Sequence, residues 1–485
     1  MSRIRVLLCA LLTCSMLGFG ALGASQALAS HSQADYFEPS TELLNAHTRE
    51  HALAQMKHLG VHALRVELYW QYVAPGGNSA TKPAFDATNP AAYAWGPYDW
   101  IMTKAHELGW KVLLTVTAPA PRWATSNRKA PYDTNPNASA FKEFMTAVGL
   151  HYGSQVALFA IWNEPNDAAF LMPQFNSKGQ PASPRIYRGL YQEGYAGLQA
   201  AGLASPRVLI GETAPAGYDS ISRGEARRNP IHDVAPLAFL RGMLCLNSHY
   251  HKAGSCSRLS ASGYAHHAYS TKAGPYYVSP VRDDVMIGTI SRLERALNLA
   301  AAAGAINGGL PLYLTEFGVQ SKPNRFLGVS PAKQAEYDAI SEYIAWRDPR
   351  VAAFSQYLLK DGAVGGAPGA GAHGGFVGFQ SGLEYISGAP KPLYFAWPIP
   401  LVVSSTPGGY SLWGLARPAT GATKVTVLVK RRGSRKYTVL KTQSTDSLGY
   451  WSLTSAVRGT SWRVRWTSPS GTKYEGPPIA ASRPV

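Results

Sequence analysis

Charge is scarce in this chain. Only 15% of its residues are Asp, Glu, Lys or Arg, and the acids are the rarer group, 29 against 46 basic residues. With 11% aromatic and 46% hydrophobic residues, the sparse charge excludes a disordered polyelectrolyte and points to a globular protein with a large core. At 485 residues it is too long for one small domain. Cysteine is almost missing, with four in all. No glycine-rich phosphate loop follows an early strand, which counts against a doubly wound nucleotide-binding sheet. No long apolar run occurs after the first, so the mature chain is expected to be soluble, without stable membrane insertion.

That first run is MSRIRVLLCALLTCSMLGFGALGASQALAS. Two arginines, an apolar stretch and Ala27-Leu28-Ala29 make residues 1–29 a secretory signal peptide cut after Ala29. An uncleaved anchor is the competing reading. Thr13 ahead of Cys14 counts against a lipoprotein, because a small Gly, Ala or Ser is usual there. Export predicts a secreted, extracellular protein, with cell-surface association open. Cys9 and Cys14 leave with the signal. Cys245 and Cys256 remain, and an exported pair this close is expected to form a local disulfide. Metal ligation with His249 and His251 is the alternative.

Positive charge collects at the end. From residue 401 onward thirteen Lys and Arg face Asp446 and Glu475, a local net charge of +11 out of +17. Such a module could hold an anionic cell-wall glycan or carry a solvated basic surface. No nucleic-acid motif accompanies the charge, so no nucleic-acid partner is expected.

Between residues 34 and 398, short β-rich runs alternate with amphipathic helical segments. The runs are ALRVELYW (63–70), KVLLTVT (111–117), VALFAIWNE (156–164), RVLIGET (207–213), GYAHHAY (263–269), PLYLTEFG (311–318) and VAAFSQYLL (351–359). ADYFEPS (34–40) supplies an eighth. Ser183-Pro184 and Ser330-Pro331 read as helix starts, Asp233 and Asp284 as two more caps, and Gly60, Gly109, Gly202 and Gly304 as stops. This order fits an α/β fold, a (β/α)8 barrel over residues 30–398; an open doubly wound sheet is the alternative. After a linker at 397–409 the texture changes. Residues 399–485 read as a small all-β sandwich, with runs TKVTVLVKRR, KYTVLKTQS, GYWSLTS and TSWRVRWTSP between Gly and Ser turns.

In such a barrel, chemistry collects where strands end. The polar residues there are Glu164, Glu212, His267, Tyr269 and Glu316. Arg65 and Glu67, two apart on strand 2, share a face. A buried Arg needs anionic partners, and Glu67 is read as one. Two carboxylates across a cavity are what glycoside hydrolysis requires: about 5 Å apart in a retaining mechanism, wider in an inverting one. Glu164 and Glu316 lie three βα units apart, which sets them facing across a barrel mouth. Glu212 is the rival.

WNEP (162–165), LTEFG (314–318), Arg65 and the triplet His267-Ala268-Tyr269 together resemble clan A glycoside hydrolases, which include the cellulase-like family five and the xylosidase-like family thirty-nine. The resemblance covers most of 34–398. It implies a glycosidase acting on a carbohydrate, with Glu164 as acid/base, Glu316 as nucleophile and Asn163 at the sugar 2-hydroxyl. It further implies Arg65 and Tyr269 holding Glu316 ionised by lowering its pKa, and His267 lining the subsite, with no cofactor and no metal. The sequence departs from the pattern at strand 8, FSQYLLKD (354–361), which carries Gln356 and Tyr357 where many members have tryptophan. Sugar stacking is then assigned among Trp70, Trp123, Trp162 and Tyr357, each of which also reads as ordinary core. DGAVGGAPGAGAHGG (361–375), with His373, reads as a flap over the mouth or an idle insertion. The tail, on motifs such as DSLGYWS (446–452), resembles bacterial Ig-like sandwiches. Two other readings remain: an inactive carbohydrate-binding barrel, and a metallohydrolase using His266 and His267. Adjacent strand histidines point to opposite faces, which opposes the latter.

Overall fold

A computed structural model describes residues 33–39, 41–127, 129–228, 231–362 and 378–482. The proposed signal peptide and most of the glycine-rich stretch, His373 included, lie outside the described residues. Eight parallel strands close into a barrel: β1 (Ala34–Glu38), β2 (Ala63–Tyr69), β3 (Lys111–Thr117), β4 (Leu158–Ile161), β5 (Val208–Thr213), β6 (Gly263–His267), β7 (Leu312–Glu316) and β8 (Val351–Tyr357). β8 pairs with β1 from Ala34↔Ala353 to Glu38↔Tyr357, which shuts the ring. The open-sheet alternative is thereby excluded.

The strands are buried on both faces, as apolar runs flanked by helices demand. Outward residues such as Leu64, Val66, Leu114 and Phe159 pack beneath the helices. The inward face is graded. Tyr36, Ala63, Leu113, Leu158, Leu209, Ala265, Tyr313 and Ala353 fill the end where strands begin. The next inward positions along the strands are Glu38, Arg65 and Thr115, and the polar strand ends lie beyond. The apolar layer is a floor, and the charged layer above it is the mouth.

Local chemistry sets several boundaries. Helix Arg49–Leu59 stops at Gly60, whose φ of 88° suits a residue lacking Cβ. Ser330 caps helix Pro331–Arg347 through the Lys333 N–H at 3.2 Å. Three expected caps are not caps. Ser183 is the first helical residue, and its hydroxyl donates to Gln174 Oε1 (2.8 Å). Asp233 accepts from Ala168 N–H (3.0 Å) and Asp284 from Gly217 N–H (3.1 Å), so loops have claimed both carboxylates. Cys245 and Cys256 are joined in a disulfide, with Cα atoms 6.0 Å apart, so neither is a thiolate ligand. Among the described residues no helix is long and apolar enough to cross a membrane.

The presumed linker holds a strand. Val402 and Val403 are buried within β9 (Leu401–Thr406), which pairs with β10 (Gly409–Leu415). β11 (Lys424–Lys430), β12 (Tyr437–Ser444), β13 (Tyr450–Ser455), β14 (Ser461–Thr467) and β15 (Lys473–Glu475) complete two antiparallel sheets, β13-β10-β9 and β12-β11-β14-β15. Val425, Val427, Val429, Trp451, Trp462 and Val464 pack between them. The outer face of the first sheet, with Val402, Trp413, Leu415 and Tyr450, packs on Ala339, Ile340 and Trp346 of helix Pro331–Arg347. Arg417 pins this joint. It lies over the Trp397 ring (3.9 Å), bonds Glu342 Oε1 (2.7 Å) and pairs with Asp35 at the start of β1. Tyr474 donates to His58 O (2.8 Å), and a Cβ on Gly60 would overlap Pro418.

Candidate active site

The run ALFAIW ends on a carboxylate because the chain turns there into the barrel mouth. Trp162 (φ 68°), Glu164 (φ 36°) and, across the gap, Glu212 (φ 47°) are left-handed, a costly backbone for non-glycine residues that clusters at functional sites. Hydrogen bonds hold the turn: Asn163 N–H to Thr117 Oγ1 (2.9 Å), Glu164 N–H to Glu212 O (3.0 Å) and Asp167 N–H to Glu164 O (2.8 Å). Register shifts at Glu212 in β5 and near His267 in β6 mark bulges that re-aim those side chains.

Glu164, His267 and Glu316 come together, with one donor atom from each within 4.8 Å of the others. His267 Nδ1 is 2.8 Å from Glu164 Oε1 and 3.5 Å from Glu316 Oε2. Glu316 is held on both oxygens: Tyr269 donates to Oε1 (2.5 Å) and Arg65 Nη1 to Oε2 (3.0 Å). Arg65 is fully buried and serves the whole mouth. It meets Glu212 through Nε (3.3 Å) and Nη2 (2.9 Å), Asn163 Oδ1 (2.6 Å), and Glu38 at the end of β1. Since Arg65 occupies the Asn163 carbonyl, the amide nitrogen is the atom left to face a ligand.

The rival acid is settled by its partners. Glu212 is 1% exposed and also takes the Thr115 hydroxyl (3.0 Å), so its carboxylate is engaged by Arg65 and Thr115 together. Glu67 stands 3.7 Å from Arg65 and is bonded more closely by Tyr69 (2.6 Å). Glu38 escaped the sequence reading, because nothing local marks the acid of ADYFE as a partner for Arg65.

Burial dominates the electrostatics, as it must where several carboxylates share one guanidinium. It pushes Glu164 up to about 8, with the charges of Asp233, Glu67 and Glu212 adding and Arg65 opposing. Glu316 is pushed up to about 7, again first by burial, while His267 and Arg65 pull it down. The expected lowering of Glu316 is therefore outweighed by desolvation. Both acids are thus held above the ordinary carboxylate value of 4.5. Burial drives His267 down to about 4.

His266 turns away, with Nδ1 2.9 Å from Thr213 Oγ1 and Nε2 2.9 Å from Val285 O. The two-histidine metal site therefore does not form. The Glu164–His267–Glu316 donors could reach a cation, but Arg65 already sets a positive charge against the same Glu316 oxygen.

Trp70 and Trp162 are fully buried and cannot stack on a ligand. Trp123 is half-buried on the turn after β3, edge-on to Trp70 and Phe85, with Lys82 over its ring and its indole N–H donating to Pro75 O (3.2 Å). Tyr357 stands at the end of β8, where its pKa rises through burial and the charge of Glu316. Phe379, 37% exposed, bridges it (5.2 Å) to Tyr269 (5.8 Å). This aromatic group beside Glu316 stands where strand 8 lacks tryptophan. Phe379 was missed because it follows the glycine-rich stretch, outside any strand pattern.

No family model matches the chain, and no curated relative is similar to it. Solved structures similar to it include a family 39 glycoside hydrolase from the gut symbiont Bacteroides cellulosilyticus (16% identity, TM-score 0.48, covering 87% of this chain and 80% of that one). A glucosidase from Croceicoccus marinus is similar at 10% identity and TM-score 0.48, covering 83% and 88%. A family 10 endoxylanase from sugarcane soil metagenome is similar at 13% identity and TM-score 0.44, covering 76% and 96%.

Proposed function

We propose that this chain is a retaining glycoside hydrolase that cleaves O-glycosidic bonds of an oligo- or polysaccharide by double displacement. The observation that carries the reading is that an oxygen of Glu164 lies within 4.8 Å of an oxygen of Glu316, close enough for a retaining pair at about 5 Å and short of the wider gap that admits an inverting water. Glu316 attacks the anomeric carbon, and the bond to the leaving oxygen breaks as that oxygen takes the Glu164 proton. Glu164, now a carboxylate, removes a proton from water, whose oxygen displaces Glu316 from the sugar. Asn163 meets the 2-hydroxyl, Arg65 and Tyr269 stabilise ionised Glu316, and His267 lies between the acids. Tyr357 lines the sugar site beside Glu316, and Trp123 stays a candidate rim contact.

Glu164→Gln and Glu316→Gln are each expected to lose at least about a hundredfold on aryl glycosides. NMR of the first product should show retained anomeric configuration; inversion would remove Glu316 as nucleophile.

Secretion is part of the proposal, supported by the Arg3, Arg5 and Ala27-Leu28-Ala29 pattern and by the disulfide. So is an anionic glycan at the C-terminal module, supported by Lys430 and by Arg431, Arg432, Arg435 and Lys436 close after it in the chain. Retention on an acidic polysaccharide should weaken steeply with salt; salt-independent binding contradicts it.

A further inference from the structure

The loops that follow β5 and β6 border a hollow that the mechanism above does not use. It has a volume of about 460 Å³ and is lined by Tyr218, Asp219, Ser220, His232, Asp233 and Asp284, among others. A second hollow of about 340 Å³ continues it, sharing Tyr218, Ser220 and His232 and ending at Glu225. Each exceeds the ~300 Å³ at which ligand pockets begin.

The trough is built by the fold. Tyr218 N–H donates to Asp233 O (2.8 Å) and Ala235 N–H to Tyr218 O (3.0 Å), so the two walls are stitched together. Asn166 ties the same loops through Ala214 N–H (2.7 Å) and Val234 O (2.8 Å). The Tyr218 ring is 50% exposed and stands edge-on to His232 at 5.1 Å; His232 is itself fixed 3.0 Å from Glu225.

Its position relative to the acids is defined. Asp233 accepts from Ala168 N–H (3.0 Å), and Asp167 N–H binds Glu164 O, so the trough wall and Glu164 share one turn. Glu316 lies on the other side, with Tyr269, Tyr357 and Phe379. In a double displacement the leaving oxygen departs toward the residue that protonates it, hence toward Glu164.

We infer that this trough holds the leaving-group end of a carbohydrate chain, with the Tyr218 ring as a stacking platform for an uncharged sugar residue. The inference rests on the glycosidase reading and adds the substrate class. Two adjoining hollows accommodate a leaving group longer than one sugar, which makes oligomers better substrates than simple glycosides. Among the described lining residues the charged groups are Asp219, Asp233, Asp284 and Glu225, with no Lys or Arg, which suits an uncharged chain better than a uronate.

The test uses the full chain. A panel of 4-nitrophenyl glycosides identifies the sugar accepted beside Glu316, and neutral oligosaccharides of that sugar, two to five units long, probe the trough. Tyr218→Ala should lower the ratio of kcat/KM on the five-unit oligosaccharide to kcat/KM on the aryl glycoside by at least about tenfold. Tyr218→Phe should keep the parent ratio. Ser220→Trp, which plugs the hollow from its rim, should lower the ratio as Tyr218→Ala does. An unchanged ratio in both Tyr218→Ala and Ser220→Trp overturns the inference, whether or not their absolute rates fall. A parent chain that turns over no glycoside at all overturns the underlying reading instead.

Discussion

Tyr269 Oη lies 2.5 Å from Oε1 of Glu316, while Arg65 binds the other oxygen of the same carboxylate. A carboxylate that accepts two donors is favoured in its charged form. Tyr269→Phe removes one of them, so the Glu316 pKa should rise. The acid limb of the kcat/KM profile is then expected to move to higher pH, with kcat/KM lower by roughly tenfold or more near its optimum. A pH–rate series on an aryl glycoside decides this; a limb that stays in place removes Tyr269 from control of Glu316.

The acids themselves set the working range. The proposed double displacement needs Glu316 ionised and Glu164 protonated, and burial pushes the first up to about 7 and the second to about 8. The profile should be a bell displaced above the ordinary carboxylate range, rising as Glu316 ionises and falling as Glu164 does. Glu164→Gln should abolish the falling limb in the residual rate.

The same shifts couple to stability. Both folded pKa values lie above the ordinary 4.5, so the native state binds protons more tightly than the unfolded chain. Their contribution is complete below about 4.5 and is lost as pH rises through about 7 to 8. Melting temperature should therefore decline over that window, and less steeply in the Glu164→Gln, Glu316→Gln double variant. Parallel curves for variant and parent would contradict the shifts.

Arg417 supplies a prediction about the joint. Arg417→Met leaves Asp35 and Glu342 buried without their cation, at a cost on the order of 3–5 kcal/mol. Urea unfolding should show that loss, and Asp35→Asn with Glu342→Gln in the same chain should recover part of it. A change below about 1 kcal/mol, the worth of an exposed pair, would mean the site is wet.

Much of this architecture was legible locally. β2 and β3 were read to within a residue, since apolar runs with β-branched residues and helix stops such as Gly60 carry their own signal. The placement of Arg65 and Glu316 was legible because each lies on a strand whose direction fixes where it points, and Glu164 and Tyr269 follow the ends of β4 and β6 by two or three residues. What failed depended on distant partners. Asp233, Asp284 and Ser183 have the chemistry of caps, yet groups far along the chain or in loops captured their side chains. Val402 and Val403 sit amid proline, serine and glycine, and only their burial against the other strands reveals β9. Glu38 and Arg417 act through residues on other elements, a pairing no short window contains. The sign of the Glu316 shift failed differently. Its neighbours were foreseen, but desolvation outweighs them and is not visible in a list of neighbours.

Asp35, His58 and Gly60, through which the basic module grips the barrel, all sit at the floor, where strands start and the mouth is farthest away. A glycan held there, as proposed, would consequently be kept behind the mouth rather than fed into it. The module's charges would decide where the molecule stays, and their removal should leave a freely diffusing catalyst that works at its former pace.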